Sequence, residues 1–308
     1  MGRAGETPEL AAALGFTGRW WYVVGMSSQH FAMALLAISM LATPLQMLAA
    51  GRSANAIPHV NERARQGYQQ YLQAEMHRAY AIAPGGSWAW KYGFDTREEA
   101  VAAATAACQQ GTEQTCVPYA INNDVVLDVR QWPTLWRPYK SAAEAAQAPE
   151  GRQRGERFPD LLLKNANGKP VALSSLRGKV VLLHLWGTWC PTCVHEIPQF
   201  QELVNTLRDY TDIVFVFSQV REPYADARRW LEQRGIRLPL YDSGSHAPQD
   251  TRLQLAGGGS LADRAVAPVF PATYVLDRHG VVVFSLRGSA SDWLEYSAFL
   301  RDLAAHAR

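Results

Sequence analysis

The spacing of hydrophobic and polar residues changes several times along the chain and predicts where strands and helices lie. Val180–Gly187 is almost unbroken apolar sequence, as expected for a central strand buried on both faces. In Ile197–Tyr210 the apolar residues recur every three or four positions, which predicts an amphipathic helix. A second buried strand is predicted at Asp212–Val220, followed by a helix over Pro223–Gly235. Strands and helices therefore alternate in this part of the chain.

The flanking segments complete this pattern. Phe158–Lys179 contains a strand, an Asn-Gly turn at residues 167–168 and a second strand. Thr273–Leu276 and Val281–Leu286 are predicted to form a hairpin, and Ala290–Ala307 a closing helix. The order strand-helix-strand-helix-strand-strand-helix specifies an α/β fold with a mixed sheet and flanking helices.

A smaller α+β unit is predicted before it, over residues 57–140. Its segments have helical spacing at the start, a short strand within Gly85–Phe94, and strand-turn-strand within Cys116–Leu127. An Ala-rich helix lies between them, with Asp95 as its predicted N-cap because Glu98 follows three residues later. Residues 141–157 are polar with Pro and Gly, and are predicted to link this unit to a second domain at residues 158–308.

The first 56 residues have the composition of a signal or anchor region. No charged residue lies between Arg19 and Arg52, and Phe31–Ala50 is long enough to cross a bilayer. Ala54 and Ala56 follow in an A-x-A arrangement. The segment is interpreted as a signal peptide cleaved after Ala56 or as a membrane anchor through residues 20–50, and a buried helix is a third reading. Export would place the chain in a periplasmic or other extracytoplasmic compartment, where disulfides persist.

The charge balance gives no indication of nucleic-acid binding. The 308 residues carry a net charge of +2, and no run of five or more Lys or Arg occurs. Polyanion-binding patches usually show such basic clusters. We therefore expect no nucleic acid among the partners.

The four cysteines form two pairs with different spacing. Cys108 and Cys116 lie near a predicted helix end and at a strand start, and a structural disulfide is the favoured interpretation in an exported protein. A free or redox-active pair is the alternative for these two residues.

Cys190 and Cys193 form a CxxC pair directly after the buried strand, where a helix is predicted to begin. The helix N-terminus favours negative charge, so the Cys190 thiolate is a competent nucleophile. Cys193, one turn further on, can resolve a mixed disulfide at Cys190, and Pro191 suits the first helical position. Half of a zinc site and a purely structural disulfide are the other readings, but the strand-to-helix position favours redox work.

At this point the sequence resembles a known family. The segment "GKVVLLHLWGTWCPTCVHEIP", Gly178–Pro198, is similar to thioredoxin-fold proteins, specifically the exported TlpA-like and cytochrome-c-maturation (DsbE-type) thiol:disulfide oxidoreductases. The resemblance continues through "FPATYVLDRHG" and covers about residues 158–308. It implies a thioredoxin-like sheet with Cys190 attacking and Cys193 resolving.

The resemblance also implies supporting roles for other residues. Trp189 would shield the cysteine pair on one side. Pro271 would be a cis-proline across from it, leaving nearby backbone free to pair with a substrate chain. Glu196 matches an acidic residue that tunes the thiol pKa values, although on bare sequence it is a first-turn carboxylate favoured by the helix dipole.

The sequence departs from the family pattern in two places. His184 stands in the buried strand where cytosolic thioredoxins have an acid, and is either a proton relay or a satisfied core histidine. Ala267–Phe270 replaces the glycine usually found before the proline, so we expect partner specificity to differ from that of the best-known members. His195 is expected to be a solvated helix residue.

The predicted function is reduction of disulfides in partner proteins, as in apocytochrome c or copper-site maturation. The implied partners are a disulfide-containing protein substrate and a membrane-bound electron donor, with no cofactor and no metal. A copper(I)-binding module that uses Cys190 and Cys193 as ligands is the alternative from another class. A peroxiredoxin-type peroxidase is disfavoured by the second cysteine of the CxxC pair.

Overall fold

The computed structural model describes residues 53–290 and 292–306, so most of the predicted signal or anchor region lies outside the described residues. The helices are α1 (Glu62–Gln73), α2 (Arg97–Gln109), α3 (Ala142–Ala146), α4 (Pro191–Leu207), α5 (Tyr224–Gln233), α6 (Asp263–Val266) and α7 (Ser297–His306). Within the described ranges, no helix has both the length and the apolar character needed to cross a bilayer.

Thirteen strands are described in the same part of the chain. They are β1 (Ala79–Ile82), β2 (Trp88–Lys91), β3 (Val117–Ile121), β4 (Asp124–Val125), β5 (Leu162–Lys164), β6 (Pro170–Ala172), β7 (Val180–Trp186), β8 (Ile213–Gln219), β9 (Leu240–Asp242), β10 (Arg252–Gln254), β11 (Ser260–Ala262), β12 (Ala272–Leu276) and β13 (Val282–Arg287). Short 3-10 helices cover Ala54–Ala56, Val129–Trp136, Leu173–Leu176 and Leu294–Tyr296.

A seven-stranded mixed sheet forms the C-terminal half, in the order β13-β12-β7-β8-β9-β5-β6. Strands β7, β8 and β9 run parallel, whereas β12 pairs antiparallel with β7 and β13 with β12. Every residue of β7 is buried, as the unbroken apolar run predicts. The predicted mixed α/β sheet with flanking helices is confirmed.

The structure adds elements that the hydrophobic pattern does not reveal. Strand β9 and the two strands of the β10–β11 hairpin contain only three residues each, which is too short for a period-two pattern to emerge. The hairpin lies just before the segment that leads to Pro271.

The N-terminal half contains a four-stranded antiparallel sheet in the order β2-β1-β3-β4. Helix α2 packs on one face through small residues, among them Ala100 and Ala104. Strand β1 was not predicted, because all four of its residues are buried and the usual alternation is missing. The predicted turn between β3 and β4 is confirmed, and Asn122 there has a φ of 51°, which asparagine tolerates well.

The predicted start of helix α2 is wrong by one residue. Thr96, not Asp95, is the N-cap: its side chain accepts a hydrogen bond from the Glu99 N–H, and the Glu99 carboxylate accepts one from the Thr96 N–H. Both Asp95/Glu98 and Thr96/Glu99 have the spacing of a capping box, so the spacing alone could not separate them.

The two sheets contribute to one hydrophobic core. A single cluster of buried residues runs from Ala54 to Ala304, with the indole of Trp136 stacked 4.2 Å from the Phe299 ring. Arg137 forms an ion pair with Asp302 of α7. The predicted linker contains α3, and its Ala145 and Ala148 pack against Val281. The boundaries at residues 140 and 158 stay a prediction.

Candidate active site

The CxxC pair lies where β7 ends and α4 begins. Cys190 is the N-cap of α4, its Sγ accepts a hydrogen bond from the Cys193 N–H at 3.2 Å, and the two cysteines form a disulfide. Pro191 occupies the first helical position, where a missing N–H removes no helical hydrogen bond. Cys190 is 6% exposed and Cys193 is fully buried, so only Cys190 is open to a partner.

Trp189 lies over the turn that precedes the pair. Its indole N–H donates to the Val220 carbonyl at 2.8 Å, and its ring meets the Phe270 ring edge-on at 5.4 Å. A Cβ on Gly187 would lie 2.2 Å from the Trp189 Nε1, so only glycine leaves room for this indole. The tryptophan is nevertheless 44% exposed and presents an apolar surface beside Cys190.

A buried glutamate that sequence reasoning missed holds the same turn. Glu222 follows β8, is 7% exposed, and its carboxylate accepts hydrogen bonds from the backbone N–H of Thr188 at 2.7 Å and from its hydroxyl. Burial raises the pKa of Glu222, while the hydrogen bonds from Thr188 lower it. One indication was present in the sequence, an acidic residue shortly after a predicted buried strand. It did not show that the carboxylate would reach the turn at Thr188.

Pro271 reaches the same edge of the sheet through strand pairing. Ala272 pairs with Leu185 in the antiparallel β12–β7 register, so Pro271 lies beside the end of β7 from which the CxxC turn leaves. The Phe270–Pro271 peptide bond is cis. In the described residues, the backbone groups of Val269 and Phe270 make no hydrogen bond. This stretch is therefore open to pairing with another chain.

The ring of Phe270 is a contact point for two arginines that the sequence did not single out. The guanidinium carbon of Arg264 lies 4.9 Å from the ring centre and that of Arg221 lies 5.6 Å away. Arg221 also forms a two-bond ion pair with the buried Asp263, at 2.6 and 2.9 Å. This ion pair connects the loop after β8 with the segment before Pro271.

Beneath the cysteine pair lies a buried histidine–glutamate contact. The Nε2 atom of His184 is 3.4 Å from the Oε1 atom of Glu196, and both side chains are fully buried. The other ring nitrogen of His184 is 2.9 Å from the Thr273 hydroxyl, and the Trp293 indole N–H donates to Glu196 at 2.8 Å. The interpretation of Glu196 as a first-turn carboxylate is wrong, because α4 begins at Pro191 and turns Glu196 inward.

Burial determines the protonation of this pair. It raises the pKa of Glu196 to about 8, although the hydrogen bonds from Trp293 and the Ala290 backbone lower it. It lowers the pKa of His184 to about 3. Near neutral pH both groups are therefore uncharged. Neither the Glu196 Oε1 atom nor the His184 Nε2 atom has a hydrogen-bond partner among the described residues. His195 is exposed on the outer face of α4, away from this pair.

Comparisons with known proteins bear on the segment that contains this site. Residues 153–298 match the Redoxin family model. The chain is 29% identical over 150 residues to the thioredoxin-like protein YneN of Bacillus subtilis, covering 48% of this chain and 78% of that protein. It is also 29% identical over 135 residues to the thiol-disulfide oxidoreductase ResA of Geobacillus thermodenitrificans, covering 44% and 70%.

The C-terminal half of the chain belongs to the TlpA-like thiol:disulfide oxidoreductases of the thioredoxin fold.

Two solved structures also align with part of the chain. A thioredoxin family thiol:disulfide interchange protein from Chlorobium tepidum is 23% identical, with a TM-score of 0.36, and covers 48% of this chain and 95% of its own. A DsbF homologue from Corynebacterium diphtheriae is 26% identical, with a TM-score of 0.35, and covers 49% and 88%.

The other cysteine pair of this TlpA-like oxidoreductase lies in the N-terminal sheet. Cys108 and Cys116 form a disulfide that joins the end of α2 to the start of β3, and both residues are buried. Within residues 53–290 and 292–306, no group of three or more His, Cys, Asp or Glu is placed to hold a metal ion.

We expect the Cys108–Cys116 disulfide to stabilise the fold without entering the redox reaction. Replacing both cysteines with alanine should lower the free energy of unfolding by about 2–3 kcal/mol, because a short loop is released in the unfolded chain. The rate of disulfide reduction at Cys190/Cys193 should stay within twofold of the wild type. Denaturant titration and a turnover assay on the same samples check both statements. Slowed turnover with unchanged stability would instead indicate a relay between the two pairs.

Proposed function

We propose that the chain is an exported reductant of disulfides in partner proteins, of the kind needed for apocytochrome c or copper-site maturation. The observation that carries the proposal is Cys190 at the N-cap of α4, with the Cys193 N–H directed at its sulfur. A helix N-terminus stabilises a nearby thiolate by about 0.3–1 kcal/mol, and the N–H···S contact adds to this.

The exchange proceeds in two balanced steps. The Cys190 thiolate attacks one sulfur of the partner's disulfide, and the other partner sulfur leaves as a thiolate that takes up a proton. Cys193 then loses its proton and attacks the Cys190 sulfur, which releases the second partner thiol. The partner leaves with two thiols and the chain with the Cys190–Cys193 disulfide. A membrane-bound dithiol donor would return the chain to its reduced form.

The surroundings support this assignment of roles. Cys193 is fully buried, which suits an internal resolving thiol and excludes a direct attack on a large partner. Trp189 covers one side of the pair, and the unpaired backbone at Val269 and Phe270, before Pro271, offers an extended partner segment a place to add as a strand.

We further propose that one proton passes between Glu196 and Cys193 in each cycle. The protonated Glu196 of the oxidised form gives it to the Cys193 thiolate when the disulfide is re-reduced, and the carboxylate takes it back when Cys193 attacks the mixed disulfide. Glu196 lies one helical turn after Cys193, and its carboxyl is protonated near neutral pH because burial raises its pKa to about 8. The neutral Nε2 atom of His184 lies 3.4 Å from the Glu196 Oε1 atom and adds no positive charge that would favour the ionised carboxylate. An ionised Glu196 would oppose a thiolate at Cys193, since like charges disfavour each other in a buried site.

Retention of residues before Ile57 is a further part of the proposal. Ile57 is fully buried and Ala54 is 6% exposed. Cleavage after Ala56 would leave the new terminal ammonium at a buried residue, and an unpaired buried charge is strongly unfavourable. We therefore favour the uncleaved anchor through residues 20–50 over the cleaved signal peptide.

The first prediction concerns the direction of electron flow. Equilibration of the full chain with dithiothreitol or glutathione buffers, followed by trapping, should give a potential closer to about −270 mV, as in thioredoxin, than to about −120 mV, as in DsbA. The variant Cys193→Ala should accumulate a mixed disulfide at Cys190, whereas Cys190→Ala should not. A strongly oxidising couple would overturn the reductant role. No reversible couple, with one copper(I) bound per chain, would favour the metal-binding alternative.

The second prediction tests the protonation of Glu196. The unfolded chain loses this proton near pH 4.3 and the folded chain near pH 8, so unfolding free energy should fall as pH rises through this interval. Above pH 6.5 His184 opposes this fall by less than about 0.5 kcal/mol, because it is neutral in the folded chain and the unfolded imidazole loses only the rest of its proton. Between pH 6.5 and 8 the wild type should lose about 1–2 kcal/mol.

Denaturant titration at each pH gives this measurement. The variant Glu196→Gln should lack the fall in stability, whereas Glu202→Gln, an exposed glutamate on the same helix, should retain it. Equal pH profiles for Glu196→Gln and wild type would mean that Glu196 is already ionised at neutral pH and holds no proton for Cys193.

The third prediction concerns the N-terminus of the protein recovered from an exporting host. Mass spectrometry should find a terminus upstream of Ala54 in the wild type. The variant Ala56→Lys, which destroys the A-x-A pattern at an exposed position, should have the same terminus. A wild-type chain that begins at Ile57 would rule out retention of the anchor.

A further inference from the structure

Arg264 is an exposed arginine whose position is fixed without an acidic partner. Its guanidinium lies over the Phe270 ring at 4.9 Å, and its Nη1 donates to the Pro268 carbonyl at 2.7 Å. Throughout residues 53–290 and 292–306, no carboxylate oxygen lies within 4.0 Å of this guanidinium. The side chain is therefore ordered in advance, while its charge stays available to a molecule outside the chain.

Arg221 touches the same ring but is not available in this way. Two of its nitrogens donate to the carboxylate of Asp263, which is 1% exposed, so its charge is balanced inside the protein. Glu222, the other charged side chain of that loop, is buried and bonded to Thr188. Of the two arginines over the Phe270 ring, Arg264 is thus the one that is exposed and has no acidic partner among the described residues.

The location of Arg264 connects it to the reacting cysteine. Phe270 contacts Trp189, which precedes Cys190 in the chain. Trp189 is 44% exposed and Val269 is 52% exposed. The apolar surfaces of Trp189 and Val269 and the uncompensated positive charge of Arg264 therefore lie together beside the Cys190–Cys193 disulfide. The backbone of Val269 and Phe270 makes no hydrogen bond in the described residues and is free to pair.

We propose that the surface formed by Trp189, Arg264 and Val269 recognises the polypeptide segment around the partner's disulfide, and that Arg264 selects segments with an Asp or Glu within a few residues of the attacked cysteine. The inference rests on the proposed function and names its substrate class. Charge complementarity supports this selectivity, because the planar guanidinium group of arginine binds a carboxylate through two parallel hydrogen bonds. Apolar partner side chains would lie on Trp189 and Val269.

The test uses the reduced full chain and synthetic peptides with one intramolecular disulfide. The peptides form pairs that are identical except for Glu or Gln two residues before or after a cysteine. The second-order rate of peptide reduction is measured at low and high salt for the wild type, Arg264→Gln and Arg264→Glu. The matched control is Arg252→Gln, because Arg252 is an exposed arginine of the same segment that bonds to Ser260 and not to Phe270.

The wild type should reduce the Glu peptide of at least one pair about two- to fivefold faster than its Gln counterpart, as expected for an exposed ion pair. High salt should weaken this preference. Arg264→Gln should abolish it by slowing only the Glu peptide, Arg264→Glu should reverse it, and Arg252→Gln should keep it.

Two results separate the inference from the function on which it rests. Equal rates for both peptides of every pair in the wild type, or a preference that survives in Arg264→Gln, would overturn the role of Arg264 while leaving the oxidoreductase intact. Failure to reduce any of the peptides would overturn both.

Discussion

The pairing of β12 with β7 is the constraint on which the site depends. It aligns Ala272 with Leu185 and His184 with Thr273, and so decides what lies above and below the CxxC turn. A shift of one residue in this antiparallel register would exchange the faces of every side chain on β12. Pro271 would then no longer lie beside the cysteine pair. The Thr273 hydroxyl, which contacts His184, would point to the opposite side of the sheet.

Ionisable side chains on the two sides of the cysteine pair are held in opposite charge states. Beneath the cysteine pair, Glu196 and His184 are deprived of water and kept neutral. At the rim, Arg221 keeps its charge because Asp263 is buried beside it. Both arrangements fix the electrostatic surroundings of the disulfide. A buried region of low dielectric constant lies beneath it, and a hydrogen-bonded ion pair of fixed geometry lies at the exposed edge of the site.

Much of the fold could be predicted from the sequence because the signals were local. The apolar run of β7 reflects burial on both faces, and the CxxC pair lies within a single turn of chain. Glu222 and Arg264 could not be predicted, since their contacts depend on which loops meet beyond the ends of neighbouring strands. Glu196 was singled out from the sequence, but its inward position was not predicted, because it packs against Trp293, almost one hundred residues away.

The same limit applies to short or fully buried elements. Strand β1 has no alternation because helices or loops cover both of its faces, and β9 is too short to show a period. The cap of α2 shows a different difficulty, in which two neighbouring residue pairs satisfied one rule and only hydrogen bonding could decide between them.

The stacking of Trp136 on Phe299 has a consequence for the modular use of this protein. Phe284 and Tyr296 contact the same indole, so this aromatic group covers one side of the thioredoxin-like sheet and is completed from the N-terminal half. A fragment cut after Lys140 would uncover a contiguous aromatic patch, and such patches promote self-association. The thioredoxin-like half therefore depends on the N-terminal half to cover part of its core.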